Sequence, residues 1–317
     1  MIEFDAIPVL DLTALIDGGD TTELAQDFLK AYSETGFGYV VNHGVDAKLR
    51  ADIFKASRAF HDLPEATKQQ IALDGNHRGY IAINTSTDVN SDLAEVKKPN
   101  QSASFMMMRE DTSIDPAVYL SGPNQWPEME GFRDTCELYS EAMCQLGYRL
   151  MSLALKAIGA SENAVLEAFE EPTIWLRLLK YPPQPPQSPD DIYGSAPHKD
   201  FGCLTLLAQD DVGGLQVQTP SGKWVDAPPM PDAFVVNIGD MLHRMSNGKL
   251  LSTPHRVINS TGKQRYSVPF FYDPHVSLDV APLQGTGDPK FEIINFGDFL
   301  RGELEAAYDA HQESKSV

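Results

Sequence analysis

Ala196-Pro197-His198-Lys199-Asp200-Phe201-Gly202 and, further along, Thr253-Pro254-His255-Arg256-Val257 are the stretches that decide how this chain is read. His198 and Asp200 stand two apart, so on an extended strand both side chains leave the same face. His255 opens a second β-rich segment and offers a third donor. Two imidazoles and one carboxylate on one face of a metal leave the opposite coordination positions open. That facial arrangement suits non-haem Fe(II) and its oxygen chemistry. A single histidine is ordinarily a packed or surface residue, and the chain has 8. His43, His61, His77, His243, His275 and His311 take that ordinary reading, because none brings comparable context.

Outward from these stretches, short β-rich segments separated by Pro and Gly turns run from Ile174 to Tyr272. They are Trp175–Tyr181, Leu204–Ala208, Leu215–Thr219, Lys223–Ala227, Phe234–Ile238, Arg256–Ile258 and Tyr266–Tyr272, with Pro220-Ser221-Gly222 as a hairpin turn. Many short strands with turn signals predict a sandwich or barrel, and the jelly roll is the variant that often carries metal sites. Before them, strands are expected at Ile7–Leu12, Phe37–Val41 and Gly79–Ala82, ahead of an apolar Phe105–Met108. Helices are expected at Thr22–Glu34, Ala47–His61, Pro64–Ala72 and Glu162–Phe169. From Met129 to Ile158 apolar residues recur at the helical period, predicting a long spine helix. Asp298–His311 reads as a closing helix.

Composition narrows the classes. The formal net charge is −20. Such a surface repels phosphate backbones, so neither nucleic acid nor an anionic membrane is an expected partner. The 3 cysteines are too few for a disulfide framework and read as buried thiols in a reducing compartment. Met1-Ile2-Glu3-Phe4-Asp5 lacks the basic and apolar regions of a signal peptide, and no apolar run approaches the ~20 residues that span a bilayer. A cytoplasmic enzyme is the expectation.

The chain resembles the iron- and 2-oxoglutarate-dependent dioxygenases of the isopenicillin N synthase-like family. The matching stretches are Leu176–Pro183, His198–Leu207, Gln209–Val217, Val236–Asp240, Ser252–Val257 and Arg265–Tyr272, in the family's order and approximate spacing. Ile7–Leu12 and Gly36–Tyr39 resemble its N-terminal region. The fold class this implies is mainly β with flanking helices: a double-stranded β-helix (jelly roll) core, a helical N-terminal region and the spine helix. One oxygenase domain is expected over 1–317, with 1–172 mostly helical, 173–275 the jelly-roll core and 276–317 a C-terminal strand and helix.

The resemblance also implies a site. His198, Asp200 and His255 would bind Fe2+. Arg265 and Ser267, two apart on a strand, offer a guanidinium fork and a hydroxyl to one carboxylate; in the family this pair holds the distal carboxylate of 2-oxoglutarate, and Tyr181 matches a tyrosine that adds a hydroxyl. Leu179 stands where plant-type members usually carry Asn. The implied reaction consumes O2 and 2-oxoglutarate, releases succinate and CO2, and oxidises a small-molecule substrate, by hydroxylation in the leading case. Substrate-lining candidates are Tyr80, Phe105, Met107, Arg177, Leu207 and Phe271. Arg177 shares a strand face with Tyr181 and leaves two roles open, partner to an anionic substrate or member of a structural ion pair. The alternatives are a same-fold oxidase performing desaturation, cyclisation or cosubstrate fragmentation, and a jelly-roll binding protein with an inactive site. A zinc hydrolase could use the same three ligands but has no need of the Arg-x-Ser pair.

Overall fold

In the computed structural model, which describes residues 2–86, 98–111, 115, 118–161, 165–184 and 192–307, the β-rich segments pair into two main sheets. The strands in chain order are β1 (Val9–Asp11), β2 (Phe37–Val41), β3 (Gly79–Ile81), β4 (Ala103–Met108), β5 (Thr173–Tyr181) and β6 (Ser195–His198). They continue as β7 (Leu204–Gln209), β8 (Leu215–Gln218), β9 (Trp224–Asp226), β10 (Phe234–Ile238), β11 (His255–Val257) and β12 (Arg265–Asp273). The larger sheet has the order β1-β2-β10-β7-β12-β5-β4-β3, and the smaller β6-β11-β8-β9. The helices are α1 (Thr13–Ile16), α2 (Thr22–Glu34), α3 (Ala47–His61), α4 (Glu65–Lys68), α5 (Phe132–Ile158), α6 (Asp240–Met245) and α7 (Phe296–Ala307).

Strand alternation sorts side chains between two cores. Leu176 and Leu178 of β5, Leu204 and Leu206 of β7 and Val268 and Phe270 of β12 pack with Phe28, Phe60, Tyr139 and Leu150 of the helices. On the other face, Leu179 and Tyr181 of β5 and Val235 of β10 join Leu215, Val217 and Val257 of the smaller sheet, so the two sheets pack face to face. Residues of odd number on β5 and β12 therefore point between the sheets, the side on which polar function can be enclosed.

The spine helix exists because Phe132, Cys136, Tyr139, Met143, Leu146, Leu150 and Leu153 bury one stripe at helical spacing. It stops at Gly159, whose left-handed backbone (φ 75°) returns its N–H to Leu155 and Lys156. Midway, Gly147 lets α5 press on β12, since a Cβ there would lie 2.6 Å from the Tyr272 ring.

Several expected boundaries shift. The spine helix begins at Phe132, not Met129. Pro64–Ala72 is split into α4 and a 3-10 turn, Gln69–Ile71. The described part of Glu162–Phe169 is a 3-10 turn over Leu166–Phe169. The closing helix spans Phe296–Ala307, and His311 lies outside the described residues. The N-terminal strands join the large sheet: β1 and β2 extend one edge, and β4 and β3 the other. Pairing gives their backbone groups partners that a solvent-facing edge would lack. Among the described residues no helix is long and apolar enough to cross a membrane.

Candidate active site

β6 ends at His198, so Asp200 is not on the strand but in the loop that follows it. The convergence comes from that loop and from pairing: His255 on β11 is the register partner of His198 on β6. One ligand atom from each of His198, Asp200 and His255 lies within 4.8 Å of the others, and this is the group of metal-ligand type found among the described residues. Asp200 Oδ1 is 3.6 Å from His198 Nε2 and 3.7 Å from His255 Nε2. The Nδ1 atoms turn away, 2.7 Å from the Ala196 carbonyl and 3.3 Å from that of Thr253. With Nδ1 donating to a carbonyl, Nε2 keeps its lone pair for a metal.

Asp200 is anchored through its other oxygen. Oδ2 accepts from Asn237 Nδ2 at 2.7 Å and from the Thr205 hydroxyl. Asn237 and Thr205 are register partners on β10 and β7, so the sheet itself aims both donors. Burial alone would raise the Asp200 carboxyl; the imidazoles of His255 and His198 and these hydrogen bonds hold it below its ordinary range. The donor set and its spacing fit one divalent ion with a free face.

Behind the triad, Arg265 is fully buried. Its Nη1 donates to Ser267 Oγ at 3.3 Å and its Nη2 to Gln209 Oε1 at 3.0 Å, while Nε is buried without an acceptor. No carboxylate pairs with it among the described residues. The Tyr181 hydroxyl lies 3.4 Å from Ser267 Oγ. A buried guanidinium with an orphaned N–H and two neighbouring hydroxyls suits a carboxylate arriving with a ligand. Gln209 was not foreseen as part of this cradle, although alternation along β7 places it on the same side as Thr205.

A pocket lined by His198, Asp200 and Tyr181 opens beside the triad, with a cavity volume of about 120 Å3. Arg177 and Phe271 line it, as expected from their strand faces. Tyr80, Phe105 and Leu207 do not. Phe105 packs against Phe60, Phe132 and Trp126, and it is Met106, one position on and facing the opposite way, that reaches the pocket. Met107 shares the Phe105 face. Tyr80 is buried with its hydroxyl on Glu65, 3.1 Å away, and Leu207 packs between the sheets. Leu179 contributes an apolar wall between its register partners Ser104 and Ser267. The reading from sequence missed Trp175, Asp273, and Leu300 and Leu304 of α7. Trp175 shares the Tyr181 face and was legible; the docking of α7 left no local signal.

His61, His43 and His243 serve the scaffold. His61 Nε2 meets the Leu178 carbonyl at 2.9 Å, His43 Nδ1 takes the Val45 N–H, and His243 Nδ1 meets Leu250 O.

Comparison with known proteins places the chain in a class. Residues 172–274 match the 2OG-Fe(II) oxygenase superfamily, and residues 7–129 match the family described as non-haem dioxygenase in morphine synthesis N-terminal. The 2-oxoglutarate-Fe(II) type oxidoreductase hxnY of Emericella nidulans is 32% identical, over 96% of this chain and 90% of its own length. The homoarginine-6-hydroxylase of Glycine max is 32% identical, over 95% of this chain and 97% of its own length. A Neurospora crassa protein solved with alpha-KG and thymine superposes with a TM-score of 0.83, at 28% identity over 96% of this chain and 98% of that one. The protein belongs to the 2OG-Fe(II) oxygenase superfamily. It is a 2-oxoglutarate-dependent dioxygenase of the isopenicillin N synthase-like type, built on a double-stranded β-helix and using Fe(II), 2-oxoglutarate and O2.

Proposed function

We propose that the enzyme hydroxylates a small molecule, with His198, Asp200 and His255 holding Fe(II) and Arg265, Ser267 and Tyr181 holding the distal carboxylate of 2-oxoglutarate. The observation that carries this reading is the buried Arg265, whose Nε has no acceptor and which makes no ion pair among the described residues, directly behind a three-donor cluster. Bound Fe(II) supplies the redox chemistry by which substrate, O2 and 2-oxoglutarate give hydroxylated product, succinate and CO2.

The chain's own residues do the positioning. Asn237 and Thr205 fix Asp200 Oδ2, leaving Oδ1 to hold an ion. Tyr181 and Arg265 would hold the cosubstrate's carboxylate, and Trp175 and Phe271 would give the substrate an apolar wall. The whole of 1–317 acts as one oxygenase domain in this reading, since one buried cluster joins residues from Leu10 to Leu304. A cytoplasmic setting fits the free thiols of Cys136, Cys144 and Cys203, and the net charge of −20 disfavours nucleic acid.

The test is a substrate screen that reads succinate release above the uncoupled background. An accepted substrate gains one oxygen, and Asp200→Ala abolishes the release. Undiminished turnover in that variant rules out the triad as assigned.

A further inference from the structure

Two cations in the active-site pocket have no acidic partner among the described residues. Arg177 is half-buried and leaves β5 on the Tyr181 face. Among the described residues its one hydrogen bond runs from Nη2 to the neutral Ser104 hydroxyl at 3.1 Å, and its Nε is buried with no acceptor at all. Lys199 lines the same pocket and makes no ion pair among those residues. In a chain with 45 acidic and 25 basic residues, two unpaired cations at one cavity run against the general balance.

The acids nearby are committed elsewhere. Asp200 belongs to the triad. Asp273 lines the pocket, but its Oδ1 accepts the Cys203 N–H at 2.6 Å. Its register partner on β5 is Thr173, four residues from Arg177 or about 13 Å along a strand, so it is not the counter-ion. One side of the pocket carries the neutral polar residues Ser86, Asn100, Ser102 and Ser195, and an apolar part is made by Met106, Trp175, Phe201, Phe271, Leu300 and Leu304. Trp175 and Phe271 are register partners and present adjacent aromatic faces.

We infer that the primary substrate is a small carboxylic acid with an apolar body, its carboxylate held by the guanidinium of Arg177. The inference rests on the oxygenase reading of this pocket and adds the charge and shape of what enters it. A guanidinium meets a carboxylate with charge-assisted hydrogen bonds, and Arg177 spends only its Nη2 bond on the neutral Ser104. Lys199 raises the local concentration of anions at the mouth of an otherwise acidic protein. The apolar body lies against the Trp175–Phe271 pair and the α7 leucines, the apolar part of the lining.

The experiment uses the full chain, loaded anaerobically with Fe(II) and saturating 2-oxoglutarate so that Arg265 is already engaged. It is titrated with 3-phenylpropionate, octanoate and their primary amides, and binding is read by ligand-observed NMR. At least one acid is expected to bind about tenfold or more tightly than its amide, as loss of a charge-assisted pair predicts. Arg177→Gln is expected to erase that preference while the visible band of the iron–cosubstrate chelate keeps its wild-type intensity. Amides binding as tightly as acids, no acid binding up to millimolar concentration, or a preference that survives in Arg177→Gln would each overturn the inference. The wild-type acid-to-amide ratio decides the matter even if the variant does not fold. A missing chelate band in the wild type counts against the cosubstrate assignment, a failure distinct from that of the ratio.

Discussion

Arg265 lies against Tyr181: its guanidinium carbon is 4.6 Å from the ring centroid, and the two residues are register partners across β12 and β5. The ring holds the fork flat, Gln209 and Ser267 fix its two terminal nitrogens, and Nε is left without an acceptor. The pairing of two strands thus builds the proposed cosubstrate cradle.

Removing the charge from this cradle is expected to act on cosubstrate binding. Arg265→Gln should raise the KM for 2-oxoglutarate roughly 100-fold or more, as loss of a buried charge pair predicts. Tyr181→Phe keeps the ring and loses one hydroxyl, worth about 1 kcal/mol, so a rise of about fivefold is expected. Succinate release against 2-oxoglutarate concentration measures both. An unchanged KM in Arg265→Gln contradicts the assignment.

Asn237 is expected to act through Asp200. Asn237→Ala removes the 2.7 Å donor to Oδ2 while leaving all three ligands in place. Loss of such support weakens metal binding by roughly 10–100-fold. Titration with Fe(II) under anaerobic conditions reads the change, and wild-type affinity in the variant would show that Thr205 and the sheet hold Asp200 without it.

Stability should fall on the acid side of neutrality. Burial holds His61 neutral, with its pKa pushed down to about 4 despite the Leu178 carbonyl at its Nε2. Between the ordinary value of 6.5 and about 4 the unfolded chain binds the proton and the folded chain does not. The stabilisation from a neutral His61 is therefore full above pH 6.5 and is lost as pH falls towards 4, by up to about 3 kcal/mol. Chemical denaturation between pH 7 and 4 measures the slope. His61→Gln should flatten it, and an equal slope in the variant assigns the acid lability to other groups.

Gly147→Ala should destabilise the fold without touching the chemistry. The added methyl would meet the Tyr272 ring at 2.6 Å, and overpacking of this kind costs about 1–3 kcal/mol. A lowered Tm with an unchanged KM for 2-oxoglutarate is the expected result. A Tm equal to wild type means that α5 and β12 can separate at no cost.

These expectations also show where the sequence was informative. That His198, Asp200 and His255 converge, and that Arg265, Ser267 and Tyr181 lie together, was legible from the family pattern and, for Arg265 and Ser267, from strand spacing; Asp200 sits in a loop where strand spacing does not apply. Thr205, Asn237 and Gln209 were harder, since their roles depend on which strands become neighbours in the large sheet. Phe105 was placed in the pocket and Met106 was not, because a strand buried on both faces carries no polar alternation to mark its sides: all of β4 is buried. Leu300 and Leu304 were illegible for a different reason. An amphipathic helix shows which face is apolar but not what that face covers.

The central claim is that Fe(II) at His198, Asp200 and His255 and 2-oxoglutarate at Arg265 share one site. Anaerobic addition of Fe(II) and then 2-oxoglutarate to the wild-type protein tests it most directly. The account predicts a weak visible charge-transfer band that saturates at one cosubstrate per chain and is absent in Asp200→Ala. Folded protein that binds Fe(II) but shows no band at saturating 2-oxoglutarate would contradict it.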